Sequence, residues 1–461
     1  MRNFLIALVV VLAAGGGAYW LYINNVTQPV TGEFNVVSEL AVDGNAEIIA
    51  ATPDGLFLVH TNPQRSSIDV IDISDPALPL QVGRMQLPGE PTSVGISPDG
   101  RWALATLHMA KPKTGEAAPH PRTPGGLAII DISATDAPLL TEIIGIGHQP
   151  DSIAVGESGA ELVAVVAVEN QPVVEKDGTV TGEEEPGNAD DISLAGQVQA
   201  ITFNPLRQNN YRVSSLDLSA GRLNEAGLDF ADDAQPEFTT LSADLSLAAV
   251  SLQENNGIVV FDPYWLETRR MFSTGKVADR KADISADDVT LLDSNYPGDI
   301  SDQPHAGNRL PDGIAFTPDG NYIISADEGE MPLTGGRGIS VWSIDGDFIW
   351  DDGGRIEAEA AAAGLYPDDR SEEKGIEVEG VATASFGDRD FAFAVAERGG
   401  FVAVFDISNP LAPAFVQLLQ AGEEPEGIVA IPDAGLVAVA AEGSGSIHVY
   451  RRAAELQNDT K

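Results

Sequence analysis

Residues 94–105 read VGISPDGRWALA, and residues 314–325 read IAFTPDGNYIIS. Residues 48–59 repeat the same form around another Pro-Asp-Gly. Each stretch is a pair of β-forming runs joined by a tight turn, because glycine accepts the positive φ that such a hairpin requires. A further β-run follows and ends in Asp-Ile-Ser, as in VIDISDP at residues 70–76 and VFDISNP at residues 404–410. The chain is therefore a repeat of short antiparallel strands.

This repeat predicts an all-β fold, a seven-bladed β-propeller with four strands per blade. A pair of β-sandwiches is the alternative, and it explains the repeated turns less well. The inner strands are expected to begin near residues 47, 92, 151, 237, 312, 379 and 426. Residues 215–219 are interpreted as a weaker copy of the run that ends in Asp-Ile-Ser. We expect an unpaired strand, Phe34–Val42, to supply the outer strand of the last blade and close the ring.

After Met1-Arg2-Asn3, an apolar run extends from Phe4 to Ile23 and is long enough to span a bilayer. We predict a transmembrane anchor over residues 1–23, or alternatively a signal peptide that is cleaved near residues 16–18. Residues 24–32 would be a tether, residues 33–453 the propeller and residues 454–461 a tail. Both alternatives place the propeller outside the cytoplasm. The anchor would hold it at the periplasmic or extracellular side of the inner membrane, and cleavage would release it as a secreted protein.

The amino-acid composition restricts the classes of partner and cofactor that the chain can be expected to bind. The chain has 26 Lys and Arg residues against 70 Asp and Glu residues, which gives a net charge of −44. Nucleic acid is not expected as a partner, because phosphate binding requires clustered basic residues. The charge favours cations or basic proteins. The absence of cysteine excludes disulfides, cysteine-ligated zinc, iron–sulfur clusters and thiol catalysis.

The long insertions fall on one face of the predicted propeller. In this fold the connections between the second and third strands, and between successive blades, share a face. The insertions are all of these two kinds, at residues 109–126, 170–196, 275–310, 328–337 and 355–375. Loops on a rigid scaffold carry function. We therefore expect this insertion face to bind a protein, a carbohydrate or a small phosphorylated ligand.

Acidic residues recur where the strands border the insertion face. The inner strands begin with Glu47, Thr92, Asp151, Glu237, Asp312, Glu379 and Glu426. The second strands of blades two to seven end with His108, Glu169, Glu254, Glu328, Glu397 and Glu442. This register predicts two rings of side chains, mostly carboxylates, around the mouth of the central channel. The alternative is that these residues are solvated strand ends in an acidic protein.

Crowded carboxylates repel one another, so some must take up protons or hold a cation. Oxygen ligands without cysteine favour Ca²⁺ or Mg²⁺ over zinc or copper. The candidate metal ligands are Asp151, Glu169, Asp312, Glu328, Glu379, Glu397, Glu426 and Glu442. We therefore predict a divalent-cation site at the channel mouth.

Several motifs in the second half resemble a known family. They are PDGIAFTPDG at residues 311–320, ADEGE at 326–330, RSEEKGIEVEG at 370–380, AVAERGG at 394–400 and PEGI at 425–428. They are similar to exported bacterial propellers of the choice-of-anchor I family, and the Asp-Ile-Ser-Asp-Pro units resemble LVIVD-type repeats. The resemblance covers about residues 290–450 well and the first half only as generic blades. One departure is Ile376, where the family usually has proline.

The resemblance implies an exported surface or periplasmic propeller that is labelled alkaline-phosphatase-like or phytase-like. The matching stretches carry candidate anion-binding residues, Arg337, Arg370, Lys374 and Arg398. In a phosphoesterase, metal ions activate water while such cations neutralise the phosphoryl group. The alternative is that each cation pairs with a neighbouring acid. Two functions remain open: a binding or scaffold module with a divalent cation, or a metal-dependent phosphoesterase that uses the same face.

Overall fold

The computed structural model describes residues 33–109, 123–169, 173–176, 179–183, 196–277, 280–296, 305–329 and 335–453. The predicted anchor or signal segment, the tether and the tail lie outside these residues. Among the helices of the described residues, none combines the length and the apolar character that crossing a membrane requires.

Seven four-stranded antiparallel sheets make up the fold, which confirms the seven-bladed propeller. We number the blades along the chain and letter their strands A to D from the channel outward. The strands of blades 1 to 4 are Ile49–Ala51, Phe57–Asn62, Ser67–Asp72, Leu80–Gln86; Glu90–Ile96, Trp102–His108, Gly126–Asp131, Leu139–Gly145; Pro150–Ser158, Glu161–Val168, Gln197–Phe203, Tyr211–Ser215; and Pro236–Leu241, Ala248–Leu252, Gly257–Phe261, Thr268–Ser273. Those of blades 5 to 7 are Pro311–Phe316, Tyr322–Asp327, Gly338–Ser343, Phe348–Asp351; Val378–Phe386, Arg389–Ala396, Phe401–Asp406, Ala414–Gln420; and Pro425–Ile431, Leu436–Ala441, Ser446–Arg452, Phe34–Ala41.

The amino-terminal strand closes the ring, as predicted. Phe34–Ala41 pairs antiparallel with Ser446–Arg452 and becomes strand D of blade 7. The Phe34 side chain is buried, and its ring centroid lies 5.1–5.2 Å from those of Phe386, Phe391 and Phe393 of blade 6. Closure therefore joins the first and last strands of the described propeller through a β-ladder, and an aromatic cluster ties the first strand to blade 6.

The Pro-Asp-Gly turns form the A–B hairpins for a local reason. In blade 5 the Thr317 hydroxyl donates to Asp319 Oδ1 at 2.7 Å, and the Gly320 N–H donates to the Thr317 carbonyl at 2.8 Å. Gly320 has a φ of 70°, in the region that favours glycine. Blades 1 and 2 repeat both the hydroxyl–aspartate bond and the positive-φ glycine.

The core is divided between the blades. Seven clusters of buried apolar residues each span two neighbouring blades. Strands B and C are covered on both faces, which explains their continuous apolar runs such as LVAVVAV at residues 162–168. The packing between neighbouring blades holds the inner strands in place around the central channel.

The remaining described elements lie in the connections between strands. Two α-helices cover Ala220–Ala226 and Arg355–Ala363, and 3₁₀ turns cover Pro63–Arg65, Asp368–Arg370 and Pro432–Ala434. Two-stranded sheets pair Val173–Lys176 with Thr179–Glu183, and Arg280–Ala282 with Ser294–Tyr296. The interpretation of residues 215–219 as a third strand is wrong. Strand C of blade 3 is Gln197–Phe203, and residue 215 instead ends strand D.

Candidate metal centre at the channel mouth

A β-bulge accompanies the first residues of strand A. The register between strands A and B shifts at this point in blades 2 to 7, for example between Pro311 and Ile314 and between Pro425 and Ile428. A bulge re-aims side chains next to a site. It accounts for the way in which Asp312 and Glu426, from different blades, come close enough to interact electrostatically.

Glycine after the acid allows the inner strands of blades 5 to 7 to meet. A Cβ on Gly427 would lie 2.3 Å from the Glu47 carbonyl oxygen, and a Cβ on Gly380 would lie 2.6 Å from that of Glu426. The Gly427 N–H donates to the Glu47 carbonyl at 3.0 Å. Only glycine permits this approach. The acid–glycine pairs of the sequence thus hold each acidic residue against the next blade around the ring.

The acids at the ends of strand B are fixed through their backbone. The N–H of Glu442 donates to the Glu424 carbonyl at 2.8 Å, and that of Glu397 donates to the Glu377 carbonyl at 2.7 Å. Both accepting residues have positive φ, 50° for Glu424 and 48° for Glu377. Such a conformation costs a non-glycine residue about 1–3 kcal/mol, and it is typically found at functional sites. The backbone therefore carries local strain beside the acids.

Three carboxylates converge on one side of the mouth. Oxygens of Glu47, Glu426 and Glu442 lie within 4.8 Å of one another. Asn45 Nδ2 donates to Glu442 Oε1 at 2.7 Å, while Glu47 Oε2 is buried without a hydrogen-bond partner. Among the described residues, no lysine or arginine lies within 4.0 Å of these carboxylates. We call this cluster the blade 7–1 half of the mouth.

Burial and mutual repulsion make these acids hard to ionise. Burial in the channel raises the pKa of Glu47, and the charges of Glu426 and Glu442 raise it further. The same causes, burial first and Glu442 second, raise the pKa of Glu426 to about 8. A divalent cation would relieve both effects at once, because it replaces protons as the compensating charge.

The neighbouring part of the mouth, at blades 5 and 6, contains a cation of the protein's own. Lys374 Nζ lies 2.6 Å from Glu328 Oε1, and Gln253 Nε2 donates to the other oxygen of Glu328. Burial and the charge of Glu328 raise the pKa of Asp312, and Lys374 opposes this shift. We call Asp312, Glu328, Glu379 and Lys374 the blade 5–6 half of the mouth.

Carboxyl groups also interact directly in this half. The pKa of Glu379 is raised by burial and by the charges of Glu328 and Glu397. Burial also raises the pKa of Glu397, and its contact with Glu379 opposes that shift. The ion pair between Lys374 and Glu328 compensates part of the charge of the blade 5–6 half.

Two further predicted ligands stand apart from the three-carboxylate cluster. Burial raises the pKa of Asp151 to about 7. Glu169 lies at the end of strand B in blade 3, where its N–H donates to the Gln149 carbonyl at 3.0 Å. Both act electrostatically on Glu237, whose pKa is raised first by burial and then by Asp312 and Glu169. The acids thus interact around the ring, but only blades 7 and 1 bring three carboxylates to one point among the described residues.

The predicted anion-binding residues all have protein partners. Arg337 is fully buried and donates to the carbonyls of Ser371 and Glu373 at 2.8 and 2.6 Å. Lys374 pairs with Glu328, as described above. These contacts correspond to the ion-pairing alternative, and anion binding stays a prediction.

Glu377 connects the two remaining cations, Arg370 and Arg398, and no pattern in the sequence indicates this role. It is 3% exposed and lies 2.6 Å from Arg370 and 2.7 Å from Arg398. Arg398 also lies 3.2 Å from Glu397. Glu47 belongs to the predicted ring of acids but not to the predicted set of metal ligands. Its strand position, equivalent to that of Glu426, is the sequence signal that points to it.

The comparisons with known proteins agree on the fold. The chain is similar to the β-propeller domain of Cps50 (Swd1) from Myceliophteria thermophila, with 10% identity, 91% of this chain and 99% of that chain covered, and a TM-score of 0.53. It is also similar to hydrazine synthase from Kuenenia stuttgartiensis, with 13% identity, 90% and 97% covered, and a TM-score of 0.52. These likenesses show the propeller fold alone. No curated protein matches the chain.

A family model gives the more specific result. The choice-of-anchor I domain matches residues 47–332 and 330–410, so the relationship includes the first half of the propeller, which the sequence motifs had matched only as generic blades. The chain belongs to the choice-of-anchor I domain family.

Proposed function

We propose that this protein is a binding module that holds a divalent cation, Ca²⁺ or Mg²⁺, at the blade 7–1 half of the channel mouth. Family membership indicates an exported, cell-surface-associated propeller. The cation, its ligands and attachment to the inner membrane through residues 1–23 are the parts that we propose.

One observation carries the proposal: the carboxylates of Glu47, Glu426 and Glu442 converge without a basic partner among the described residues. At the blade 5–6 half, the same kind of residues are compensated by Lys374. Buried carboxylates need a compensating charge of some kind. A hard divalent cation supplies that charge at blades 7 and 1, and its preferred ligands are carboxylate oxygens.

Such a cation would also give the module a way to bind. Calcium takes about 6–8 oxygen ligands, and three carboxylates supply at most about six. Water or oxygen atoms of a ligand would complete the shell. A carbohydrate, a protein carboxylate or a small phosphorylated ligand that approaches the insertion face could provide them.

The phosphoesterase alternative has no specific contact in its favour. Catalysis of phosphoryl transfer needs cations that are free to reach the phosphoryl oxygens. Arg370, Lys374 and Arg398 are each paired with a carboxylate, and Arg337 is buried. That activity therefore stays a prediction, and binding is the function that we advance.

Calcium and magnesium titrations of the purified propeller would test the proposal. We expect calorimetry to detect a bound ion, and the ion to stabilise the folded state by roughly 2.7 kcal/mol at about 100 times the dissociation constant. Glu426→Gln should abolish the response. Glu237→Gln is the matched control, because Glu237 occupies the same strand position in blade 4 outside the three-carboxylate cluster.

The outcomes are distinct. Wild-type protein that shows neither heat of binding nor stabilisation with either ion would overturn the proposal. Equal losses in Glu426→Gln and Glu237→Gln would place the ion elsewhere in the ring.

A further inference from the structure

A groove on the outer side of blade 4 differs in charge from the rest of the protein. It has a volume of about 420 Å³ and lies between helix Ala220–Ala226 and strand D, Thr268–Ser273. Arg222, Arg269 and Arg270 line it, and Glu225 is the one acid among its lining residues. In a chain of net charge −44, three arginines on one groove make a local positive site.

These arginines remain available to a ligand. Arg222 lies 3.5 Å from Asp217, and Arg269 lies 3.1 Å from Asp345, with all four side chains at least 40% exposed. Exposed pairs of this kind contribute only about 0–1 kcal/mol and exchange readily with another anion. Arg270 is exposed as well.

The wall of the groove is an open sheet edge. Strand D of blade 4 pairs with Gly257–Phe261 on one side, and no described strand pairs with its other side. Such an edge presents backbone donors and acceptors to a further strand. Of the seven outer strands, this is the only one that contains two arginines.

Two further side chains, Thr268 and Trp265, have features that are typical of a binding surface. Thr268 Oγ1 lines the groove, and it is buried without a hydrogen-bond partner. A ligand atom would satisfy it. Trp265, three residues before the strand, is 77% exposed. Tryptophan and arginine are the residues most enriched among those that dominate binding energy at protein interfaces.

We propose that this groove binds an acidic, extended segment of a partner protein, which adds to blade 4 as a fifth strand. The open edge would pair with the segment's backbone, and the arginines would pair with its carboxylates. A small anion would use only the arginines and leave the edge unpaired. The remainder of the protein repels an acidic peptide, so the affinity must come from the groove itself.

The test uses a fluorescent peptide of alternating glutamate and valine, with binding followed by polarisation at physiological ionic strength. We expect wild type to bind it and Arg222→Glu/Arg270→Glu to bind at least about tenfold more weakly. Arg207→Glu/Arg212→Glu is the matched control, because it makes the same charge change at exposed arginines near the outer strand of blade 3. The control variant should retain wild-type affinity.

A copy of the peptide with alternate backbone nitrogens methylated distinguishes strand addition from charge attraction alone. We expect it to lose about tenfold in affinity, because methylation removes ladder donors without changing the charge. Failure of wild type to bind would overturn the proposal, as would equal loss in the control variant or equal binding of the methylated peptide. Groove-dependent self-association in sedimentation would identify a second copy of the chain as the occupant instead.

Discussion

The two halves of the channel mouth use the same residue types at equivalent strand positions, and they differ in what compensates the charge. At blades 5 and 6, Lys374 reaches Glu328 from the insertion that follows blade 5. At blades 7 and 1, Glu47, Glu426 and Glu442 converge, and no described lysine or arginine joins them. An acidic residue at an equivalent strand position therefore does not form the same kind of site in every blade. The side chains contributed by the insertions decide which half has a basic partner among the described residues, and we propose that the other half takes a cation from solution.

The largest expected effect comes from loosening blade 7, which carries two of the three converging acids. Phe34→Ala should lower the free energy of unfolding by about 3–5 kcal/mol, because it empties a buried position against three phenylalanines. Chemical denaturation measures this loss. Val36→Ala is the control, since Val36 is 66% exposed on the same strand, and comparable losses in both variants would contradict the closure mechanism.

Removing the protein's own cation should make the blade 5–6 half resemble the other. Lys374→Met should lower the free energy of unfolding by about 2 kcal/mol. This is less than the loss expected for a fully buried ion pair, because the Lys374 side chain is 21% exposed. The double variant Lys374→Met/Glu328→Gln should recover most of this loss. If metal ions can replace Lys374, the single variant should also bind more calcium than wild type in calorimetry. Unchanged stability in Lys374→Met would show that the pair contributes nothing.

The pH dependence of stability should separate the metal-free and metal-bound states. Folding raises the pKa of Glu426 from 4.5 to about 8 and that of Asp151 from 3.8 to about 7. The folded state therefore binds the protons of these two carboxyl groups more tightly than the unfolded state. Their contribution to the free energy of unfolding is complete below about pH 4 and declines as the pH rises towards 8. Urea denaturation in chelator should show this decline.

Calcium should reduce the decline, because an ion in place of the proton keeps the carboxylates of the blade 7–1 half stable in their ionised form. Identical pH profiles with and without calcium would argue against coupling between the ion and these acids.

The smallest expected effect is a change in stability in Glu426→Gln whose sign depends on calcium. In chelator at a pH above about 8, where Glu426 is ionised, Glu426→Gln should stabilise the protein by about 1 kcal/mol, because it removes one like-charge contact with Glu442. In saturating calcium it should destabilise the protein relative to wild type, because the ion is lost. Melting temperatures under both conditions measure the reversal. The same sign under both conditions would mean that Glu426 does not ligate an ion.

Much of the fold could be read from the sequence because its signals are local. The hydroxyl–aspartate bonds and positive-φ glycines of the Pro-Asp-Gly turns act within five residues, so they appear directly as a sequence pattern. The register of the acids at strand starts and ends followed from the same repeat. The incorrect third strand at residues 215–219 shows the limit, since a short β-like run there leads into a helix.

Periodicity and turn chemistry in the sequence specify the propeller, its closing strand and the strand positions of the acids. Which acids meet and which are neutralised depends instead on contacts that form in the folded ring. Lys374 pairs with Glu328 across 46 positions, and Asn45 contacts Glu442 across 397. Closure of the ring brings the first and last blades together, and the insertions then place their cations on one half. No local pattern encodes contacts between residues so far apart in the chain, because they exist only once the ring has closed.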